Sequence, residues 1–593
     1  MKQFFGAFFG SILGIVLATI LSVLIIVGVI KSSFGGSDVK DEDEVSVAKA
    51  NSVLKIELDG TIVDREKENP FKDLGSFGPF MQEGGYGLNT LLDKIEKAKT
   101  DDKIKGIYLY SKHLEAGFAT TEELRTALED FKKSGKFIYC YAEYYGQKEY
   151  YLASVADKIF LNPQGDLDWK GLSMSLMFFK NAFEKLGVEV QVFRHGKFKS
   201  AVEPFLLDKM SASNRHQSET FLNSIWNTML TQISKDRKIE VEELNKMANN
   251  LTIRFPEDAV LGKLIDNTLY EDEVITEIKK KMGVAEKDKL SLLDISKYDP
   301  KDKKKVAATA GKIAVIYASG SISGGQGSDD EIGSDALAKT IKEARLDEKV
   351  KAIVLRVNSP GGSALASDVI WREVVLAKKA KPVIVSMGNL AASGGYYISC
   401  AADHIFAQPN TITGSIGVFG LIPNVQKALD QKLGITVDTV NTNLHSDVGG
   451  PLRGVSASEY EYIQSGVEKV YDVFTKRVAE GRKMSQADVD SIGQGRVWTG
   501  SDALKINLVD EMGGLNDAIT YAAKKAKLSE YKLVELPKQK SPFDAFLGKK
   551  EAELETRLVK ENLGITYTYF KQLQKIINVK GIQARLPFEM LVQ

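Results

Sequence analysis

Three short stretches of this 593-residue sequence carry residue types whose spacing suits attack on a carbonyl carbon. In "GNLAASGGYYIS", Ser393 follows two alanines and precedes two glycines at a predicted strand-to-helix junction. Small neighbours leave a hydroxyl open to an approaching carbonyl, which a nucleophile requires, although they suit close helix–sheet packing equally well. In "NSPGGSALAS", Gly361 and Gly362 stand between a strand ending near Val357 and a helix beginning near Ala364. Adjacent glycines at such a turn let backbone N–H groups point at an oxygen, and the helix N-terminus adds partial positive charge. A tight turn with no ligand is the plainer reading of the same pair. In "GKFKSAVEPF", Lys199 sits among Phe198, Ala201, Val202 and Phe205, with Lys197 close by. Lysines are usually solvated, but desolvation and a neighbouring like charge would each lower this one's pKa.

These residues stand out because they interrupt an internal repeat. "DDKIKGIYLY" from Asp101 matches "DEKVKAIVLR" from Asp347, and "YYLASVADKIFLNP" from Tyr150 matches "YYISCAADHIFAQP" from Tyr396 at the same offset. "VLKIELDGTI" with "IAVIYASGSI", "KLGVEV" with "KLGITV", and "AVLGKLID" with "ALKINLVD" extend the series at slightly shifted offsets. A fixed pattern repeated in this way indicates two copies of one domain. Where the second copy has Ser393 the first has Gln147, and where it has the two glycines the first has Glu115 and Ala116. Anchoring on Pro204 and Pro451 sets Ser446 opposite Lys199.

Each copy alternates short β-rich runs, such as "GIYLY" and "KPVIVSM", with helical segments such as "TEELRTALEDFKKSG". That rhythm predicts an α/β fold with a mainly parallel sheet. The copies are expected at 46–285 and 311–535, joined by a charged connector at 286–310. The tail, 536–593, combines an amphipathic stretch with an extended finish, suited to an oligomer contact or a packed terminus. Residues 1–45 hold an apolar run from Phe4 to Ile30 without charge, long enough to cross roughly 30 Å of hydrocarbon as one helix. Lys2 before it and the acidic run Asp41–Glu44 after it favour a cytoplasmic N-terminus, with the folded mass beyond the membrane.

Composition narrows the chemistry. Basic and acidic residues balance at 79 each, so no cationic surface for nucleic acid is expected. Two cysteines, Cys140 and Cys400, exclude a disulfide framework and a cysteine-rich zinc site. None of the five histidines lies in a recognisable Ser-His-Asp signature, and neither a G-x-S-x-G elbow nor an H-E-x-x-H zinc motif occurs. A serine nucleophile here would need another base. For a lysine to serve, its pKa must fall from about 10.4 by roughly two to three units.

The pieces "KFKSAVEPF", "NSPGGSALAS", "AASGGYYIS" and "TGSIGVFG" together resemble the signal peptide peptidase A family, S49, in its long two-domain bacterial form. The resemblance extends over nearly the whole chain. It implies tandem ClpP/crotonase-like βα superhelical domains after one transmembrane helix. It also implies a Ser/Lys dyad divided between the copies, with Ser393 as nucleophile and Lys199 as general base. Gly361, Gly362 and Gly394 would form the oxyanion hole, and Ser415 would orient the lysine. The family implies no metal or other cofactor, a homotetramer anchored in the bilayer, and released signal peptides as substrates on the outer face of the cytoplasmic membrane. Two other readings are a crotonase-like acyl-thioester enzyme and a non-catalytic membrane scaffold. Hydrolysis of a peptide ester without coenzyme A discriminates the first, and indifference to Ser393→Ala the second.

Overall fold

Matched residues of the two repeats make the same hydrogen bonds. Asp157 accepts from Ile138 N at 2.8 Å and Asp403 from Val383 N at 2.9 Å, each tying a strand to its neighbour. Asp266 and Asp510 do likewise at Ile159 N and Ile405 N, and each also binds an arginine, Arg237 and Arg482. The Tyr150 and Tyr396 hydroxyls donate to Leu264 O and Leu508 O. The computed structural model describes residues 48–66, 85–299, 310–328, 331–539 and 581–586. All of these fall in one compact unit.

The first parallel sheet has at its centre β1 (Ser52–Val63), β2 (Ile104–Glu115), β3 (Phe137–Tyr145) and β4 (Lys158–Leu167), adjacent in that order. Helix α1 (Leu88–Thr100) connects β1 to β2, and α2 (Phe118–Lys132) connects β2 to β3. The short helix α3 (Gln147–Ala153) leads to β4. Beyond β4, chain segment 189–194 forms β5 (Glu189–Arg194), and α4 (Ala212–Arg237) follows, capped by Ser211.

The second copy repeats the plan. Its sheet contains β6 (Gly311–Ser319), with the small strands β7 (Ser321–Ser323) and β8 (Glu331–Gly333) following it in sequence. Helix α5 (Ser334–Leu346) leads to β9 (Val350–Ser359), then β10 (Gly361–Ser363) and α6 (Ala364–Ala380). Next come β11 (Val383–Ala392), α7 (Gly394–Ser399), β12 (His404–Ala407), β13 (Ile412–Gly414) and β14 (Phe419–Asn424). Helix α8 (Ala457–Arg482), capped by Ser456, and strands β15 (Val497–Thr499) and β16 (Tyr531–Leu536) complete the copy. Strands β16, β6, β9 and β11 run parallel in that spatial order, with β12 and β13 each pairing β11. The first copy's β1, β2, β3 and β4 correspond to β6, β9, β11 and β12.

A third sheet joins the copies. Its order is β8, β7, β10, β17 (Gln583–Arg585), β14 and β5. Strand β5 of the first copy lies antiparallel to β14 of the second, from Arg194 opposite Phe419 to Glu189 opposite Asn424. The copies are also bound by Arg356 of β9. This fully buried guanidinium reaches Asp64 and Glu123 at 2.8 Å each, and its third nitrogen donates to Ser386 Oγ at 2.9 Å. The two carboxylates come from the first copy, so its charges neutralise a cation buried in the second.

Two expectations differ. The "KLGITV" segment matched to "KLGVEV" contains no strand, and Val440 and Leu444 beyond it are 98% and 82% exposed. In the first copy this stretch has the β14 edge to pair with, whereas the second copy's segment meets no equivalent edge among the described residues. The connector contains a short strand, Leu292–Asp294, which pairs β1. The apolar run Phe4–Ile30 and the amphipathic stretch of the tail lie outside the described residues. Among the described residues, no helix is long and apolar enough to cross a membrane.

Candidate active site

Ser393 occupies the turn between β11 and α7, with φ 55° and ψ −113°. A residue with a Cβ is strained there by about 1–3 kcal/mol, and the surrounding bonds hold it. Its N–H donates to Gly414 O at 2.8 Å. The flanking glycine permits a close approach that a larger residue would block: a Cβ on Gly395 would lie 2.6 Å from Ser359 O.

Lys199 reaches this serine from the first copy. It precedes a single 3-10 turn, Ser200–Val202, just beyond β5, and the pairing of β5 with β14 brings that segment against the second copy. Lys199 Nζ donates to Ser393 Oγ at 2.9 Å, to Ser415 Oγ at 3.0 Å and to Ser415 O at 3.3 Å. Lys199, Ser393 and Ser415 are all fully buried. Burial alone pushes the lysine's pKa well below its ordinary range. Lys197, expected to contribute a like charge, instead lies over the Phe198 ring. The remaining partner of the Ser393 hydroxyl is Gly417 O at 3.4 Å, and no histidine bonds to it.

The lysine segment is clamped by residues the sequence did not single out. Gln217 of α4 donates to Phe198 O and Ser200 Oγ, and accepts from Val497 N of β15. Phe198 N donates to Gln494 O. Gly495, with φ +83°, lies so close that an added Cβ would be 2.6–2.7 Å from Lys199 Cβ, Cα and N. A Cβ on Gly417 would reach Lys199 Cδ at 3.3 Å. These glycines lie far from Lys199 in sequence, and no local pattern announces such contacts.

Of the three glycines assigned to an oxyanion turn, Gly361 lies against Gly394, the residue after Ser393, and Gly362 follows Gly361 in the same strand. A Cβ on Gly361, whose φ is +90°, would stand 2.6 Å from Gly394 N. The Gly361 N–H itself donates to Ser359 Oγ at 3.1 Å, so the amides of Gly362 and Gly394 are the ones left to serve an oxyanion. Gly394 N belongs to the first turn of α7, where amides lack intrahelical acceptors. A buried amine with a lowered pKa bonded to a hydroxyl, with helix-start amides alongside, is an arrangement that can supply a base, a nucleophile and an anion cradle.

The first copy fills the corresponding space. Gln147 binds the backbone of Lys170 and Gly171, and Trp169, opposite Ser415 in the repeat, is buried against Tyr150 and Trp226. Ser446, the counterpart of Lys199, is exposed and bonds within its own loop. Among the described residues no group of three or more His, Cys, Asp or Glu side chains is arranged to hold a metal ion.

Known sequences fit this architecture. The sequence model described as Peptidase family S49 matches residues 130–285 and 376–529, one stretch in each copy, and that of Clp protease matches 306–413. Protease 4 of Salmonella typhi is 38% identical over 501 residues, covering 82% of this chain and 80% of that protein. Protease 4 of Haemophilus influenzae is 34% identical, with 84% and 82% covered. The chloroplastic serine protease SPPA of Arabidopsis thaliana is 34% identical, covering 92% of this chain and 79% of its own. With the S49 sequence occurring twice and relatives of this identity matched over most of their length, the chain belongs to peptidase family S49, in its long two-domain form, and is a serine protease.

Proposed function

We propose that this serine protease works through a Ser393/Lys199 dyad divided between its two copies, hydrolysing apolar peptides, among them signal peptides released at the outer face of the cytoplasmic membrane. The observation that carries the reading is the 2.9 Å contact of a fully buried lysine amine with the serine hydroxyl. Neutral Lys199 takes the Ser393 proton as Oγ attacks the peptide carbonyl. Amides of Gly362 and Gly394 hold the resulting oxyanion, each worth on the order of 3 kcal/mol in the transition state. The lysine then protonates the leaving amine, and water activated by the same amine hydrolyses the acyl-enzyme. Ser415 fixes the Nζ position through its hydroxyl and carbonyl.

The apolar run Phe4–Ile30 would tether the enzyme as a single membrane helix and concentrate it near lipid-embedded peptides. A homotetramer is proposed as the working assembly. Exposed apolar side chains at Leu433, Val440 and Leu444 support burial against further copies.

Peptide hydrolysis by the full chain in detergent tests the dyad. Ser393→Ala and Lys199→Ala are each expected to abolish turnover, while Ser415→Ala lowers kcat with little change in KM. Substantial turnover by either of the first two variants refutes the assignment.

A further inference from the structure

A loop of the second copy, residues 493–496, touches both Lys199 and Ser415. Its Gln494 O accepts from Phe198 N at 3.0 Å, and Gly495 packs directly on Lys199. On the other side, Gly495 N donates to Ile416 O and Arg496 O accepts from Ser415 N, both at 2.7 Å. Displacing this loop would therefore move Lys199 and Ser415 together. The loop's own conformation does not hold it, since Gln494 and Gly495 are both left-handed, with φ 54° and 83°. A non-glycine residue stays in that region only where surrounding bonds impose it.

The restraint comes from Tyr471 of α8, a buried residue. Its hydroxyl accepts from Gln494 N at 3.0 Å and donates to Asp490 Oδ1 at 2.6 Å, on the short helix Gln486–Ile492. Its ring stacks on His195, with centroids 3.8 Å apart and 21° between the planes. His195, which is bonded to Glu468, begins the run leading from β5 to Lys199. Burial, and after it the hydrogen bond to Asp490, push the phenol's pKa above its ordinary value, so the hydroxyl keeps its proton at neutral pH.

The first copy supplies an internal comparison. Ser211 and Ser456 cap the matching helices α4 and α8, which sets Trp226 opposite Tyr471 and Asn245 opposite Asp490. Trp226 Nε1 donates to Asn245 Oδ1 at 3.1 Å, so a bond from the aromatic side chain to an acceptor is common to both copies. An indole nitrogen can only donate, whereas a phenolic oxygen both donates and accepts. The copy whose loop meets the lysine thus carries the atom that can also take a backbone N–H.

We propose that Tyr471 is a positioning residue of this protease, its hydroxyl fixing the 493–496 loop and, through that loop, holding Lys199 Nζ at Ser393 and Ser415. The inference rests on the Ser393/Lys199 reading. A loosened loop lets Nζ drift from Oγ and lets water reach the amine, which slows proton transfer and returns the lysine pKa towards its ordinary value.

Tyr471→Phe removes the oxygen and keeps the ring. Initial rates of the full-length chain on a peptide substrate are expected to show kcat about tenfold lower with KM within about twofold, and the rise of kcat/KM with pH moved to higher pH. Tyr150→Phe is the control, because it deletes a likewise buried hydroxyl, bonded to Leu264 O in the first copy. It is expected to lower the Tm similarly, with kcat and the pH midpoint unchanged. A Tyr471→Phe enzyme with wild-type kcat, one slowed without a shift of the pH midpoint, or a control showing the same shift overturns the proposal and leaves the dyad standing. Turnover surviving Lys199→Ala would instead reject the dyad, and this proposal with it.

Discussion

Replacing Gly495 by alanine tests whether the position of Lys199, beyond its presence, sets the rate. The new Cβ would stand 2.6–2.7 Å from Lys199 Cβ, Cα and N, and two of those are backbone atoms that cannot swing aside. Restoring ordinary contact at 3.4 Å requires a shift of about 0.8 Å in the lysine segment, and a misplacement of about 1 Å at a catalytic group costs on the order of 10²-fold in rate. Gly495 also has φ +83°, which alone strains an L-residue by roughly 1–2 kcal/mol. Gly171 separates the two effects: its φ is +86°, yet a Cβ there meets nothing within 4 Å. Gly171→Ala should lower stability by a similar strain with kcat unchanged, whereas Gly495→Ala should lower kcat about 100-fold with a folded circular-dichroism spectrum. Initial-rate kinetics on a peptide substrate, with thermal melts of both variants, supply the comparison. A Gly495→Ala enzyme with wild-type kcat would show that the lysine segment tolerates displacement, and the reasoning from close contact would fail.

Three further predictions concern charge. Because burial depresses the Lys199 pKa, kcat/KM should rise with pH as the amine loses its proton and collapse as pH falls through that depressed value. Between the depressed pKa and about 10.4 the unfolded chain binds one more proton than the folded one, so stability at this site rises with pH by about 1.4 kcal/mol per unit; denaturant melts of Lys199→Met should lack that component. Arg356→Met would leave Asp64 and Glu123 buried without their cation, at a cost of about 3–5 kcal/mol seen as a lowered Tm; an unchanged melt would refute the neutralising role.

The parts legible in the sequence were those encoded by local pattern or by self-comparison. Asp157 and Asp403, and Tyr150 and Tyr396, recur because each repeat needs the same strand ties. Ser393 and Lys199 could be singled out because Gln147 and Ser446 replace them in the opposite copy. The contacts that hold the lysine were not visible, since Gly417 and Gly495 act through proximity across hundreds of residues and Gln217 reaches the segment from a separate helix. Nor was β17 legible: three residues pairing with a glycine turn leave no periodicity to read. The second copy's "KLGITV" misled for a related reason, because a strand exists only where a neighbouring edge accepts its hydrogen bonds.

The amine and the hydroxyl that meet at 2.9 Å are 194 positions apart, on opposite sides of a duplication. Under the proposed dyad, a ribosome that has made the front half has produced no hydrolase, because the alcohol has not been synthesised, and a rear half alone holds an alcohol with nothing to deprotonate it. Division of labour between duplicated genes joined in one reading frame thus acts as a safety catch, released only when synthesis has passed both halves and they have docked. The same division makes the fusion hard to reverse in evolution: splitting the gene would yield two inert proteins until each found the other.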